Sequence, residues 1–159
     1  MKLGVICDGI SRDLAHTLNV MDEFELEYAE LQFVWNKEVG DHSKEEVVTI
    51  KSLLDQHNKP VSCLSRHVFA GMSGANKPGD ALHTKHMDAL KRVMELAHEL
   101  NSPLVRILTP RKEQILWGEH GAEQWNVAHG AWDAILPLVA PAIELARAEG
   151  LKLVVETGN

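Results

Sequence analysis

Leu151-Lys152-Leu153-Val154-Val155-Glu156-Thr157-Gly158-Asn159 is a short β-type run that closes on a carboxylate, and the fold is read outward from it. Its apolar, β-branched character marks 151–156 as a strand, and Gly150 stands where a helix C-terminus takes a glycine. Runs of the same kind recur at 2–7, 26–33, 61–65 and 104–108, with helix-type segments between them. Five strands alternating with four helices need crossover connections, which make neighbouring strands parallel and the crossovers right-handed. The predicted class is therefore α/β, built as one domain over residues 1–159.

The helices carry their own punctuation. Ser43 lies three residues before Glu46, a capping-box spacing, and Val47, Ile50, Leu53 and Leu54 follow on one face that is expected to cover the sheet. A third helix, 80–100, places Leu90, Val93, Met94 and Ala97 at helical spacing and stops at Asn101-Ser102-Pro103. The fourth, 125–149, contains Pro137 and Pro141, each of which removes a backbone donor, so a kink or break is expected there. A last strand with no helix after it suits an edge of a five-stranded doubly wound sheet or the first half of an eight-stranded barrel of about 250 residues. The half-barrel is the expectation, and its two open edges and bare interior predict an oligomeric or aggregation-prone chain.

Composition excludes several classes. With 45% hydrophobic and 25% charged residues the chain is globular, and no window approaches the ~20 consecutive apolar residues of a membrane span. Sixteen Lys+Arg against 23 Asp+Glu give a charge of −7, which disfavours nucleic acid as a partner. Cys7 and Cys63 sit in apolar runs and read as buried reduced thiols. Together with a start too soon polar for a signal peptide, they predict a cytoplasmic location. No GxGxxG, GxxxxGK[ST], GxSxG or CxxC motif occurs, so no nucleotide cofactor is expected. Gly71-Met72-Ser73-Gly74-Ala75-Asn76-Lys77-Pro78-Gly79 lacks the spacing of a phosphate loop and reads as a flexible βα connection.

In both architectures the working groups stand at the carboxyl ends of the strands. Those ends hold Asp8, then Glu30 and Gln32, then Ser65-Arg66-His67, then Thr109-Pro110-Arg111, and finally Glu156. A carboxylate straight after Leu-Val-Val needs a cation or a donor unless it is simply exposed, and a hard divalent cation suits it. Glu30 could take a substrate hydroxyl or, the favoured reading, pair with Arg66 or Arg106. His67 reads as a substrate or metal contact, or as a hydrogen-bonded structural residue. His83, His86 and His98 fall on the third helix, where solvent is the default surrounding. The Trp-rich stretch 117–125, with Trp117, His120 and Trp125, reads as a lid or substrate wall, or as a loop covering the fourth helix. Glu30, His67, Arg106 and Trp117 are the expected substrate contacts.

The run Pro103-Leu104-Val105-Arg106-Ile107-Leu108-Thr109, the segments Gly121-Ala122-Glu123-Gln124-Trp125 and Gly130-Ala131-Trp132-Asp133, and above all Leu153-Val154-Val155-Glu156-Thr157-Gly158-Asn159 carry a likeness. They resemble the sugar phosphate isomerase/epimerase group of xylose-isomerase-like TIM barrels. The resemblance implies a (β/α)₈ barrel of which this chain is the amino-terminal half. It implies one divalent metal (Mn, Mg, Co or Zn) held by side chains of the last four strands, with Glu156 matching the first ligand and the remaining ones lying beyond this chain. It further implies that Glu156 is one of two glutamates that move a proton between adjacent carbons of a sugar, sugar phosphate or related polyol. The partner would be a second copy of the chain or a carboxy-terminal half-barrel. His67 matches a position where the related abasic-site endonucleases also place a histidine, but Leu108-Thr109-Pro110 stands where they need another. Isomerase or epimerase is thus expected ahead of an endonuclease-type hydrolase, a dehydratase or lyase on the same barrel, and a non-catalytic half-barrel.

Overall fold

A strand buried on one face by a helix and open on the other must be wound so that every crossover falls on the same side, and the strand order shows whether this happens. In the computed structural model, which describes residues 3–110 and 131–156, five strands form one sheet. They are β1 (Gly4–Ile6), β2 (Tyr28–Leu31), β5 (Val61–Ser65), β6 (Leu104–Leu108) and β7 (Lys152–Glu156). Their order is β1-β2-β5-β6-β7, with every neighbouring pair parallel. Each crossover steps one strand onward and the order never reverses. Right-handed connections then place α1 (Leu14–Glu23), α2 (Lys44–Gln56), α3 (Ala81–Glu99) and α4 (Ala131–Ala148) on one face. A doubly wound sheet reverses its order at a switch point; this one winds as a partial barrel does.

The covered face is the core. Ala29, Leu31, Leu64 and Val105 are wholly buried there, packed with Leu18, Met21, Ile50, Leu90, Val93 and Leu138 from the four helices. Each such aliphatic side chain contributes about 1.5–3 kcal/mol by leaving water. The helix ends match their sequence signals. Both hydrogen bonds of the Ser43–Glu46 capping box form, and the Asp80 side chain caps α3. At the end of α4, Gly150 takes φ +67° while Leu151 N–H donates to Ala146 O at 2.9 Å. Cys7 and Cys63 are buried free thiols.

Three expectations about the elements are corrected. The first strand is only Gly4–Ile6, because Cys7–Gly9 turns into a 3₁₀ segment. The second ends at Leu31, not 33; the chain then leaves the sheet as an antiparallel hairpin of β3 (Phe33–Val34) and β4 (Lys37–Glu38). Phe33 N–H donates to Asp8 Oδ1 and Trp35 N–H to Arg12 O, which draw this segment toward the β1–α1 connection. Helix α4 runs unbroken through Pro137 and Pro141. Both prolines, and the positions 133 and 137 whose carbonyls lose a donor, face solvent, where water can satisfy them. The part of this helix expected before 131 lies outside the described residues.

The connection from β5 to α3 is ordered by its own bonds rather than loose. Val68, Phe69 and Met72 are fully buried, Ser73 N–H donates to Asn76 Oδ1, and Asp80 accepts from Lys77 N–H and Asn76 Nδ2. His83 is buried instead of solvated. Its Nδ1 accepts from Gly79 N–H, so its Nε2–H donates to Leu138 O at 3.0 Å and ties α3 to α4. His86 accepts from Phe69 N–H through Nδ1, and burial pushes its pKa down.

Two outcomes follow from these contacts. At Gly40, φ is +88° and a Cβ would stand 2.9 Å from Val93 N, so Gly40→Ala should lose roughly 2 kcal/mol by urea denaturation, whereas Gly9→Ala, with open space around it, should change little. Hydrogen bonds from His83 N–H, Lys77 N–H and Asn76 hold the Asp80 carboxyl down at about 2, against 3.8 ordinarily. A depressed folded-state value means its stabilisation is complete above the ordinary value and lost as pH falls toward 2, so Asp80→Asn should flatten the acid side of a stability–pH curve.

Candidate functional site

Cross-strand partners share a face, so the register fixes which side chains meet. Glu30 aligns with Cys63, Ser65 with Arg106, Arg106 with Val154, and Leu108 with Glu156. These residues stand on the face that the described helices leave bare. A β-bulge between Ala29 and Glu30 lets Glu30 align with Cys63 while Ala29 aligns with Val61. Glu30, Cys63, Leu104, Arg106, Val154 and Glu156 line a recess of about 310 Å³ on this face.

The pairings differ from the expected ones. Glu30 accepts a short hydrogen bond from Ser65 Oγ, not an arginine. Arg66 turns toward the hairpin, where Nη1 donates to Val39 O and Nη2 to Asp41 Oδ2 at 2.7 Å, with Nε 3.6 Å from Glu38. Burial raises the Asp41 carboxyl's pKa, but Arg66 and Arg92 beside it outweigh that and hold it below its ordinary value. Arg106 pairs with Glu156. The Glu156 side chain is 51% exposed and that of Arg106 only 9%.

A directed chain of hydrogen bonds links the hairpin to the last strand. Arg106 can only donate, so its Nη2–H donates a hydrogen bond to Gln32 Oε1 at 3.2 Å. The Gln32 amide nitrogen then faces His67 Nε2 at 3.3 Å and must be the donor. The His67 proton is thereby placed on Nδ1, which donates to Glu38 Oε1 at 2.7 Å. Glu38 also accepts from His67 N–H. This single assignment gives each bond of the chain one donor and one acceptor.

Burial disfavours the thiolate of both cysteines. Burial first, then the carboxylates of Asp8 and Glu30, push Cys7 up to about 12, and burial with Glu30 also raises Cys63. Among the described residues no group of three or more His, Cys, Asp or Glu could hold a metal. The donor chemistry suits a hard cation in kind, since Glu156 is a half-exposed carboxylate, but not in number, and Arg106 lies against it. The structure thus brings Glu30, Arg106 and Glu156 together at one recess and joins His67 to them through Gln32. Trp117, His120 and Trp125 lie outside the described residues. Sequence reasoning missed Glu38 and the role of Gln32.

Residues 15–159 match the family described as xylose isomerase-like TIM barrel. The chain belongs to that family. Solved structures place this xylose isomerase-like barrel beside several relatives in fold. One is a xylose isomerase-like TIM barrel protein from Mycobacterium smegmatis in complex with magnesium, 16% identical over 91% of this chain and 46% of that one, with TM-score 0.61. A second is D-psicose 3-epimerase in the presence of D-fructose, 11% identical over 100% and 53%, TM-score 0.68. A third is an AP endonuclease of family 2 from Brucella melitensis, 11% identical over 98% and 55%, TM-score 0.62. The chain therefore spans about half the length of each. No curated protein matches it. Among the described residues no helix is long and apolar enough to cross a membrane.

The hydrogen-bond chain makes a measurable statement. At neutral pH the ¹⁵N spectrum of His67 should show a protonated Nδ1 and an unprotonated Nε2; the opposite tautomer would overturn the assignment.

Proposed function

We propose that this chain is the amino-terminal part of a divalent-metal-dependent isomerase or epimerase, acting on a sugar, sugar phosphate or related polyol. The observation that carries this reading is the half-exposed Glu156 carboxylate at a barrel strand's carboxyl end, sharing one recess with Glu30 and Arg106. The magnesium-bound and epimerase relatives in fold support it.

A bound divalent cation would supply Lewis-acid polarisation of a substrate carbonyl. Glu156 would be one of its ligands, the others coming from outside the described residues. Glu156 would also take or return the proton at the carbon beside the carbonyl, as one of two carboxylates working on adjacent carbons. Glu30, fixed by Ser65, is an acceptor for a substrate hydroxyl. His67, held by Glu38 and Gln32, and Trp117 complete the proposed substrate contacts. The rest of the barrel would come from a carboxy-terminal half or from a second copy of the chain, and the buried reduced thiols suit a cytoplasmic setting. Hydrolytic chemistry on the same barrel is the second reading, favoured by the AP endonuclease likeness and opposed by the net charge of −7.

The test is exchange of the proton beside the carbonyl of a ketose with deuterated solvent, followed by NMR with Mn²⁺ or with a chelator present. Metal-dependent exchange is expected, and Glu156→Gln should lower it by roughly 10²- to 10⁴-fold. Unchanged exchange in that variant would remove Glu156 from the mechanism. No exchange with any ketose would favour the non-catalytic half-barrel.

A further inference from the structure

Two arginines stand at neighbouring strand ends, and their surroundings differ in one respect. Arg66 is 6% exposed and its guanidinium is met by Val39 O, Asp41 and Glu38. Arg106 is 8% exposed, yet among the described residues its buried Nε has no hydrogen-bond partner. Its remaining bonds go to one neutral amide oxygen, on Gln32, and to Glu156, whose half-exposed carboxylate can turn to water. A buried donor with no acceptor is costly, and here it belongs to a side chain lining a recess of about 310 Å³.

We propose that this recess binds a polyhydroxylated carboxylate, with the Arg106 guanidinium receiving the carboxylate and Glu30 accepting from the ligand's hydroxyls. The proposal rests on the isomerase or epimerase reading and names the substrate class for that same site. Three features carry it. A guanidinium matches a planar carboxylate in both shape and charge. Glu30 shares the recess and, as a carboxylate, can only accept, so a ligand beside it must present donors, as hydroxyls do. The recess volume falls at the small end of ligand sites, the size of one sugar-like molecule. On binding, the ligand's carboxylate replaces Glu156 as the counter-ion of Arg106 and releases Glu156 to act on its own.

The test is an NMR titration of the full 159-residue chain without added metal, using D-gluconate, the uncharged polyol sorbitol and inorganic phosphate as probes. Gluconate is expected to shift the Arg106 Nε–H resonance and to bind about tenfold more tightly than sorbitol. Arg106→Gln should abolish that preference. If that variant does not fold, Arg106→Lys, which keeps the charge and lacks the Nε donor, should bind gluconate several-fold more weakly. Equal binding of gluconate and sorbitol, or an unmoved Nε–H resonance, overturns the proposal; tighter binding of phosphate overturns the choice of carboxylate. None of these readouts needs turnover. Gluconate binding without proton exchange would sink the isomerase reading alone, and exchange on neutral ketoses without gluconate binding would sink this one alone.

Discussion

The one-way winding of the sheet is the constraint on which the rest depends. Because each crossover advances by one strand, all four helices share a face and supply its apolar cover. Among the described residues no helix covers the other face, which is free to carry groups that a two-sided sheet would have to bury. Glu30, Cys63, Ser65, Arg106 and Glu156 are placed there by the ordinary alternation of strand side chains. The same alternation that sends Val105 and Ile107 into the core sends Arg106 out of it.

The adjacent ends of β5 and β6 show how differently two buried cations can be used. Arg66 fixes the hairpin: with Arg92 it holds Asp41, and its contact with Val39 O closes the segment over the end of the sheet. Removing one partner from such a cluster leaves a buried charge uncompensated, which is why a satisfied arginine of this type reads as architecture. Arg106 lacks that closure. Its neighbours are a half-exposed carboxylate and an amide whose orientation it dictates, so the pattern of bonds, not burial, separates the structural cation from the one available to a ligand.

Much of the fold was legible because its signals are local. Ser43 with Glu46, Asp80 before α3 and Gly150 after α4 each act within one helical turn, and the central strands have enough residues to show a period. The hairpin was not legible, since strands of two residues have none. The surroundings of His83 were also hidden, because its acceptor, Leu138 O, is brought to it only by the packing of α4. For the site, Glu156 and Arg106 stood out as polar residues at strand ends, and Glu30 was identified with the wrong partner. Nothing in the sequence distinguishes Ser65 from Arg66 as its neighbour until the strand's facing is known, and β5 faces Ser65 toward Glu30 while Arg66 turns away.

The condition of the two thiols gives the molecule a built-in clock. Burial disfavours the thiolate of both, but Cys7 is walled in and met by an alkylating reagent only when the chain around it opens, whereas Cys63 lines the recess and is approached from that side. Cys7 sits at the end of an edge strand three residues long, and Cys63 in the middle of a strand paired on both sides. Their labelling rates therefore time two separate events, the fraying of the sheet's first edge and the entry of a reagent into the recess, without any foreign probe being introduced.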